Sequence, residues 1–321
     1  MWWNSRLAPI AYTRGLHELG DGLYAYLQPS GGWGWSNAGL ITADSTSLLV
    51  DTLYDLRLTR QMLDAMARVL ERHPIEAALN THSNPDHCFG NELLPAAAEI
   101  YASAASAAEM QQLSPELLHA LKSAPGMPSE LTDFVKHAFG PFDFEGITVR
   151  HPSQTFAGRM DLEVGDRAVS FVELGPAHTG GDTIVHVPDA GVVFTGDLLF
   201  IEGTPIVWAS LSNWIAACDR ILHLGASVLI PGHGPVTDAS GVKDVRRYLR
   251  HVRDAAGERF EAGMDPAAAA ADIDISDFAD WGDPERLAAN VIAAYRELDP
   301  SLPAPSAPEL FMAMAQWRAA H

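Results

Sequence analysis

Apolar positions recur along the chain with two different periods. Short apolar or alternating runs, bounded by Gly, Pro or polar clusters, predict strands at 23–27, 47–50 and 75–79. Between the first two lies Gly31-Gly32-Trp33-Gly34-Trp35-Ser36-Asn37, a flexible loop carrying two large aromatics. Leu58, Met62, Leu63, Met66, Val69 and Leu70 fall on one face at helical spacing and predict a helix that Pro74 ends. Residues 104–140 are rich in Ala and Leu, helical in pattern, and interrupt what is otherwise sheet. From about 146 to 200 the pattern turns to β-hairpins. Leu162 and Val164 alternate with Asp161 and Glu163 ahead of a Gly165-Asp166 turn, and 183–187 pairs with 192–195 across Pro188-Asp189-Ala190-Gly191. A helix near 212–224 and a strand at 227–230 follow. Beyond Gly241 the period is helical: Val242, Val245, Leu249 and Val252 form a stripe, and Asp265-Pro266 and Asp283-Pro284 read as N-cap plus first-turn proline pairs.

Strands on both sides of a helical insertion, with helices in each half, predict an α/β protein of two packed sheets with helices outside. No boundary is visible before about residue 240. The chain therefore divides into 1–240, with the insertion, and a helical extension over 241–321, read as a cap or as a homo-oligomer contact.

Composition adds exclusions. Hydrophobic residues make up 47% and charged residues 19%, which is globular. Lys+Arg total 21 against 41 Asp+Glu, a net charge of −20 that repels phosphate backbones and anionic lipid. Neither nucleic acid nor a membrane surface is expected as a partner. No apolar run approaches the ~20 residues of a bilayer span, and the stretch Met1-Trp2-Trp3-Asn4-Ser5-Arg6 lacks the layout of a signal peptide. Cys88 and Cys218 are the only cysteines, so a reducing cytoplasm is the expected compartment.

Of 13 histidines, most have an ordinary explanation. His17, His73, His119, His137, His223, His251 and His321 fall in helical or terminal contexts, and His151 and His186 in strand-like stretches. Four differ, because each follows a predicted strand in a Gly-, Pro- or polar-rich loop: His82, His87 with Asp86 beside it, His178 and His233. Asp197, in Thr195-Gly196-Asp197, also stands at a predicted strand end. Loops at strand ends can converge on one point, and imidazole with carboxylate suits zinc, iron or manganese.

With these stretches, the chain resembles the metallo-β-lactamase superfamily. The matching segments are Val50-Asp51-Thr52, Thr81-His82-Ser83-Asn84-Pro85-Asp86-His87, and the loops of His178, Asp197 and His233. The resemblance runs loosely from 20 to 240. It implies a four-layer αββα sandwich of two mixed sheets, a catalytic unit over 1–240, and a metal site along the sheets' upper edge. It also implies a first metal on His82 and His178, a second on Asp86, His87 and His233, and Asp197 between them. The second histidine of the family's His-x-His-x-Asp-His motif is Asn84 here, and an amide is a weaker ligand than imidazole. One or two zinc ions per chain, or Asn84 turned to orienting substrate, are the readings left open. More narrowly, Asn84 with Asp86-His87-Cys88-Phe89-Gly90-Asn91 resembles the superfamily's cyclase/thioesterases of aromatic polyketide pathways.

The expected activity is metal-dependent hydrolysis. A metal-bound water, its pKa lowered from near 16 toward ~7, yields the hydroxide that attacks a carbonyl. Asp86 is the catalytic candidate, holding the hydroxide in line and passing a proton to the leaving group. Asp51 and Asp182 are expected behind the ligands, orienting them. Trp33, Trp35 and Trp208 are candidates for the substrate mouth, with Phe134 and Phe139 in a lid, and Cys88 reads as a small buried residue. The substrate is a small-molecule or carrier-bound acyl group in thioester, ester or lactone linkage, and Arg246, Arg247, Arg250 and Arg253 are a candidate face for an acidic carrier. The rivals are β-lactam amide hydrolysis, iron-dependent oxidoreduction on the same fold, and a non-catalytic metal-binding scaffold.

Overall fold

The computed structural model describes residues 10–321; the stretch 1–6 read above for targeting lies outside the described residues. Seven strands form one sheet in sequence order: β1 (Gly15–Gly20), β2 (Leu23–Leu27), β3 (Ala38–Ala43), β4 (Thr46–Val50), β5 (Ile75–Leu79), β6 (Glu99–Ser103) and β7 (Gln154–Phe156). Five form the other, in the order β12 (Val228–His233), β11 (Val192–Phe200), β10 (Thr183–Val187), β9 (Arg167–Glu173), β8 (Arg159–Val164). Both are mixed: β4 to β7 run parallel in the first, and β11 and β12 in the second.

The strands explain the layering. Successive side chains of a strand point to opposite faces, and here both faces are apolar. Leu23, Ala25 and Leu27 of β2 and Leu48 and Val50 of β4 meet Phe171, Val185 and Phe194 of the second sheet in a core between the sheets. Tyr26 and Leu49, one residue out of phase, join the larger core under the helices. The sheets approach closely where Gly39 faces Phe194, whose ring fills the space a Cβ would need. Helix α1 (Leu56–Leu70) buries Leu58, Met62 and Met66 and is capped by Asp55, whose carboxylate accepts from Leu58 N at 2.6 Å. The insertion is three helices, α2 (Ala104–Glu109), α3 (Pro115–Ser123) and α4 (Ser129–Ala138). After α5 (Leu211–His223) come α6 (Ala239–Glu261), α7 (Pro266–Asp272), α8 (Arg286–Leu298) and α9 (Ala307–Ala320), whose apolar faces belong to the same large core. Among the described residues no helix is long and apolar enough to cross a membrane.

Some expectations are corrected. The segment from 146 does not begin with a hairpin: β7 joins the first sheet beside β6, in parallel. His17 lies in strand β1, and His151 is exposed outside any strand. Asp283 does not cap α8. It holds a positive φ of 55° and turns its carboxylate toward Arg286, and Glu285 precedes the helix instead. The strand before Asp197 does not stop at Thr195. It runs on to Phe200 past Gly196, whose φ of 50° breaks the ladder and re-aims the chain.

Candidate metal centre

The C-terminal ends of β4, β5 and β12 and the kink in β11 meet along one edge. Asp51 follows β4, His82 follows β5, Asp86 and His87 sit in a tight 3-10 turn over Pro85–His87, His178 lies between β9 and β10, Asp197 is in β11, and His233 ends β12. All are buried.

Each imidazole uses Nδ1 for the protein and leaves Nε2 for the centre. His87 Nδ1 is 2.9 Å from Asp51 Oδ2, His178 Nδ1 is 2.6 Å from the Ile206 carbonyl, and His233 Nδ1 is 3.1 Å from the Gly31 carbonyl. These partners accept only, so each Nδ1 donates. His82 Nδ1 is 3.0 Å from Thr81 Oγ1, and that hydroxyl gives its single proton to Asp51 Oδ2 at 2.7 Å. It must therefore accept from His82 as well. In each ring, when neutral, the second nitrogen then carries the lone pair, which is what a metal ligand needs.

The ligand atoms crowd together. His87 Nε2 is 3.0 Å from Asp197 Oδ1, while His178, His233 and His82 Nε2 stand 3.4, 3.4 and 3.6 Å from Asp197 Oδ2. Asp86 Oδ2 is 3.2 Å from His233 Nε2 and 3.8 Å from His87 Nε2. Two groups have ligand atoms all within 4.8 Å of one another: His82, His87 and Asp197, and Asp86, His87 and His233. His82 Nε2, His87 Nε2 and Asp197 Oδ1 are buried without a hydrogen-bond partner. Orphaned polar atoms are costly in an apolar interior, and a divalent cation would satisfy all three.

His178 stands in neither group. Its Nε2 accepts from Asn84 Nδ2 at 2.9 Å.

Electrostatics match the geometry. Burial holds His82 well below its ordinary value, and His178 down at about 4, so both stay neutral. Burial lowers His87 and His233 too, but the carboxylates, Asp197 foremost, override it, raising His87 well above its usual range and His233 to about 9. Burial works against ionisation of Asp197, yet His233, His87 and His82 hold it well below the usual carboxylate range. A cation entering here replaces protons.

Support lies behind the ligands. Asp51 accepts from Thr81 N as well as from the Thr81 hydroxyl and His87, and Asp182 accepts from Thr179 N, Thr179 Oγ1 and Ala177 N, fixing the His178 loop. Asn37, unremarked in the sequence, donates to the Pro231 and Gly234 carbonyls and ties down the His233 loop. Cys88 is buried, its thiol donates to the Ser83 and Asn84 carbonyls, and burial pushes its pKa far up.

A cavity of about 50 Å³ abuts the centre, lined by Asp86, His178, Asp197 and His233 together with Trp33, Phe139, Trp208 and Phe311. Asn84 and Trp208 also line a larger outer cavity of about 340 Å³, which reaches α9. Trp35, expected beside Trp33, lines neither. It packs on Phe142, with Arg14 over its ring. Phe134 stands behind Trp33, ring centroids 5.5 Å apart. Arg246 and Arg250 pair with Asp219, Arg247 with Asp244 and Asp277, and Arg253 with Asp254, so that helix face is already neutralised.

The profile of the metallo-β-lactamase superfamily matches residues 31–233. The chain belongs to the metallo-β-lactamase superfamily. Within it, a linear primary-alkylsulfatase of Pseudomonas sp. is 24% identical over 238 residues, 67% of this chain and 44% of that protein. An acyl-coenzyme A thioesterase of Bos taurus is 28% identical over 79 residues, 22% of this chain and 28% of that one. Among solved structures, the stereoselective inverting sec-alkylsulfatase of Pseudomonas sp. superposes with a TM-score of 0.66 over 90% of this chain and 51% of its own, at 17% identity. The chain thus spans about half the length of the alkylsulfatases it matches. The superfamily assignment fits the buried cluster of His and Asp, whose ligand atoms lie close enough together to hold a metal ion.

Sequence reasoning passed over Arg286. It is 2% exposed and lines the small cavity, although it lies in the helical extension. No motif surrounds it; the only local sign is the charge cluster Asp283-Pro284-Glu285-Arg286 ahead of an apolar helix.

Proposed function

We propose that this chain hydrolyses a thioester, ester or lactone whose acyl or alkyl part is apolar, with zinc in the cluster. The observation that carries the reading is the small cavity, which sets Asp86 and Asp197 against Trp33, Phe139, Trp208 and Phe311. Polar candidate ligands and apolar rings lining one cavity suit a polarised bond attached to a hydrophobic group. When bound, the metal would supply Lewis acidity and acidify a water. His82, His87, His178, His233, Asp86 and Asp197 would hold it.

The residues around it do the rest. Asp86 is the acid and base. Burial opposes its ionisation, but His87 and His233 hold its carboxyl below the ordinary value, so it is ionised and, through the oxygen that does not hold the cation, takes a proton from attacking water and returns it to the leaving group. Trp33, Phe139 and Phe311 exclude bulk water, and the outer cavity beside Asn84, Leu113 and Trp208 has room for the tail.

The likeness to a primary-alkylsulfatase over 238 residues favours a second reading, cleavage of an alkyl sulfate ester. The polyketide cyclase form rests on the run from Asn84 to Asn91 and on the aromatic loop of Trp33 and Trp35. Two buried free cysteines suit a reducing cytoplasm.

The test is zinc-loaded protein assayed on matched acyl thioesters, carboxylic esters, lactones and medium-chain alkyl sulfates. Turnover of one class, lost on chelation, restored by zinc and reduced at least about 100-fold in Asp86→Ala, is expected. Zinc-replete, folded protein that turns over none of them overturns the reading.

A further inference from the structure

Arg286 is a buried cation beside the candidate metal centre, paired with Asp283 and with none of the candidate ligands. It is the first residue of α8, and its neighbours hold it in one plane. NH1 donates to the Thr204 carbonyl at 2.8 Å, and NH2 stands 3.0 Å from Asp283 Oδ2. The guanidinium carbon lies 4.3 Å from the ring centre of Trp33 and 5.1 Å from that of Phe200. Phe200 in turn stacks on His233, 4.9 Å away and tilted by 4°. The cation is thus within two ring-stacking distances of a candidate ligand, and it lines the same cavity as Asp86, Asp197 and His233.

Its hydrogen bonding is incomplete. Nε is buried and has no partner. Burying a guanidinium is costly unless its donors are satisfied, and the nearby acids cannot finish the task. Glu285, fully buried, is engaged by Trp33 Nε1 at 2.9 Å and by Arg318 NH1 at 3.4 Å. The same engagements argue against a second cation site at His137, Asp283 and Glu285, whose ligand atoms are close enough to hold one. Their carboxylates already face Arg286 and Arg318.

We propose that Arg286 is the anion-binding residue of this cavity, and that the substrate enters with a negative charge next to the scissile bond. The proposal rests on the hydrolase reading above and narrows its substrate to an apolar tail with a small anionic head. A planar, always-charged fork is suited to sulfate, sulfonate or carboxylate oxygens. The cavity of about 50 Å³ admits a head group of that size, with the tail in the outer cavity of about 340 Å³.

The experiment measures binding, not turnover. Octane-1-sulfonate, octanoate and octan-1-ol are titrated into zinc-loaded protein by calorimetry, for wild type, Arg286→Met and Arg286→Lys, with zinc content and circular dichroism checked for each. Wild type is expected to bind at least one of the two anions about 10-fold or more tighter than the alcohol. Arg286→Met should lose about 10- to 100-fold for that anion and less than about 3-fold for the alcohol. Arg286→Lys, which keeps the charge without the fork, should fall between, and it carries the test alone should Arg286→Met not fold. Comparing sulfonate with octanoate tells which anion the cavity takes. Anion binding no tighter than that of the alcohol, or unchanged by both substitutions, or lost equally for anion and alcohol, overturns the proposal. A protein that binds the anion through Arg286 but cleaves no ester would instead overturn the hydrolase reading alone.

Discussion

The side-chain amide of Asn84 donates to the ring Nε2 of His178 across 2.9 Å. In the family's motif position 84 would be a histidine ligand; here it is a donor satisfying the lone pair that His178 would offer to a metal. Two things follow for the first site: one ligand is replaced, and a second is held by a competing hydrogen bond. Asp86, His87 and His233 form a group untouched by either effect.

Asn84→His is therefore expected to add about one tightly held metal equivalent per chain over wild type. Elemental analysis of protein purified without added metal reads this directly. Equal metal content in the two proteins would show that Asn84 costs the first site nothing.

Asp51 touches no proposed ligand atom of the centre, yet it takes His87 Nδ1 and the Thr81 hydroxyl on one oxygen and Thr81 N on the other. Through them it sets two rings. Asp51→Asn replaces one acceptor with a donor, and should weaken metal binding about 10- to 100-fold. Competition with a chromophoric chelator measures it, and an unchanged affinity would count against the orienting role.

Gly232 is required by close approach. A Cβ there would run into Asp197 Oδ1 and the backbone at Gly196. Gly232→Ala should shift the Asp197 carboxylate, lowering metal occupancy and destabilising the fold by about 1–3 kcal/mol. Wild-type occupancy together with a wild-type melting temperature would refute this.

Asp182 gives a pH signature. Burial pushes its carboxyl up to about 7, against the pull of Thr179. A folded-state pKa above the unfolded value means the folded chain binds this proton more tightly. The contribution to stability is therefore complete below about pH 4 and is lost as pH rises through about 7. The stability of wild type minus that of Asp182→Asn should fall between about pH 4 and pH 7, read by thermal or denaturant melts of metal-loaded protein. A difference that is flat with pH would contradict the assignment.

Much of the site was legible because its chemistry sits in short, contiguous signals. Asp86 and His87 are neighbours in one turn, His82 is one turn away, and His178 and His233 stand in Gly- and Pro-rich loops that follow or end strands. Strand existence was equally local: five of the predicted segments overlap β2, β4, β5, β10 and β12 within a few residues. Trp33 and Trp35, by contrast, are two residues apart in an irregular loop, where no period tells which ring faces the cavity. Only packing sent Trp33 against Phe134 and Phe139, and Trp35 against Phe142.

By itself the sequence determined the two apolar periods, many of the strands and helices, and the candidate ligating side chains, because each depends on residue type and local spacing. Tertiary structure decided which strand joined which sheet, as with β7, since pairing depends on partners far away in the chain. It decided that the amide of Asn84 faces His178 and not solvent. It also brought Arg286 from the helical extension to a centre whose last ligand, His233, lies dozens of residues earlier, a juxtaposition produced by helix packing on the common core that leaves no local trace in the chain.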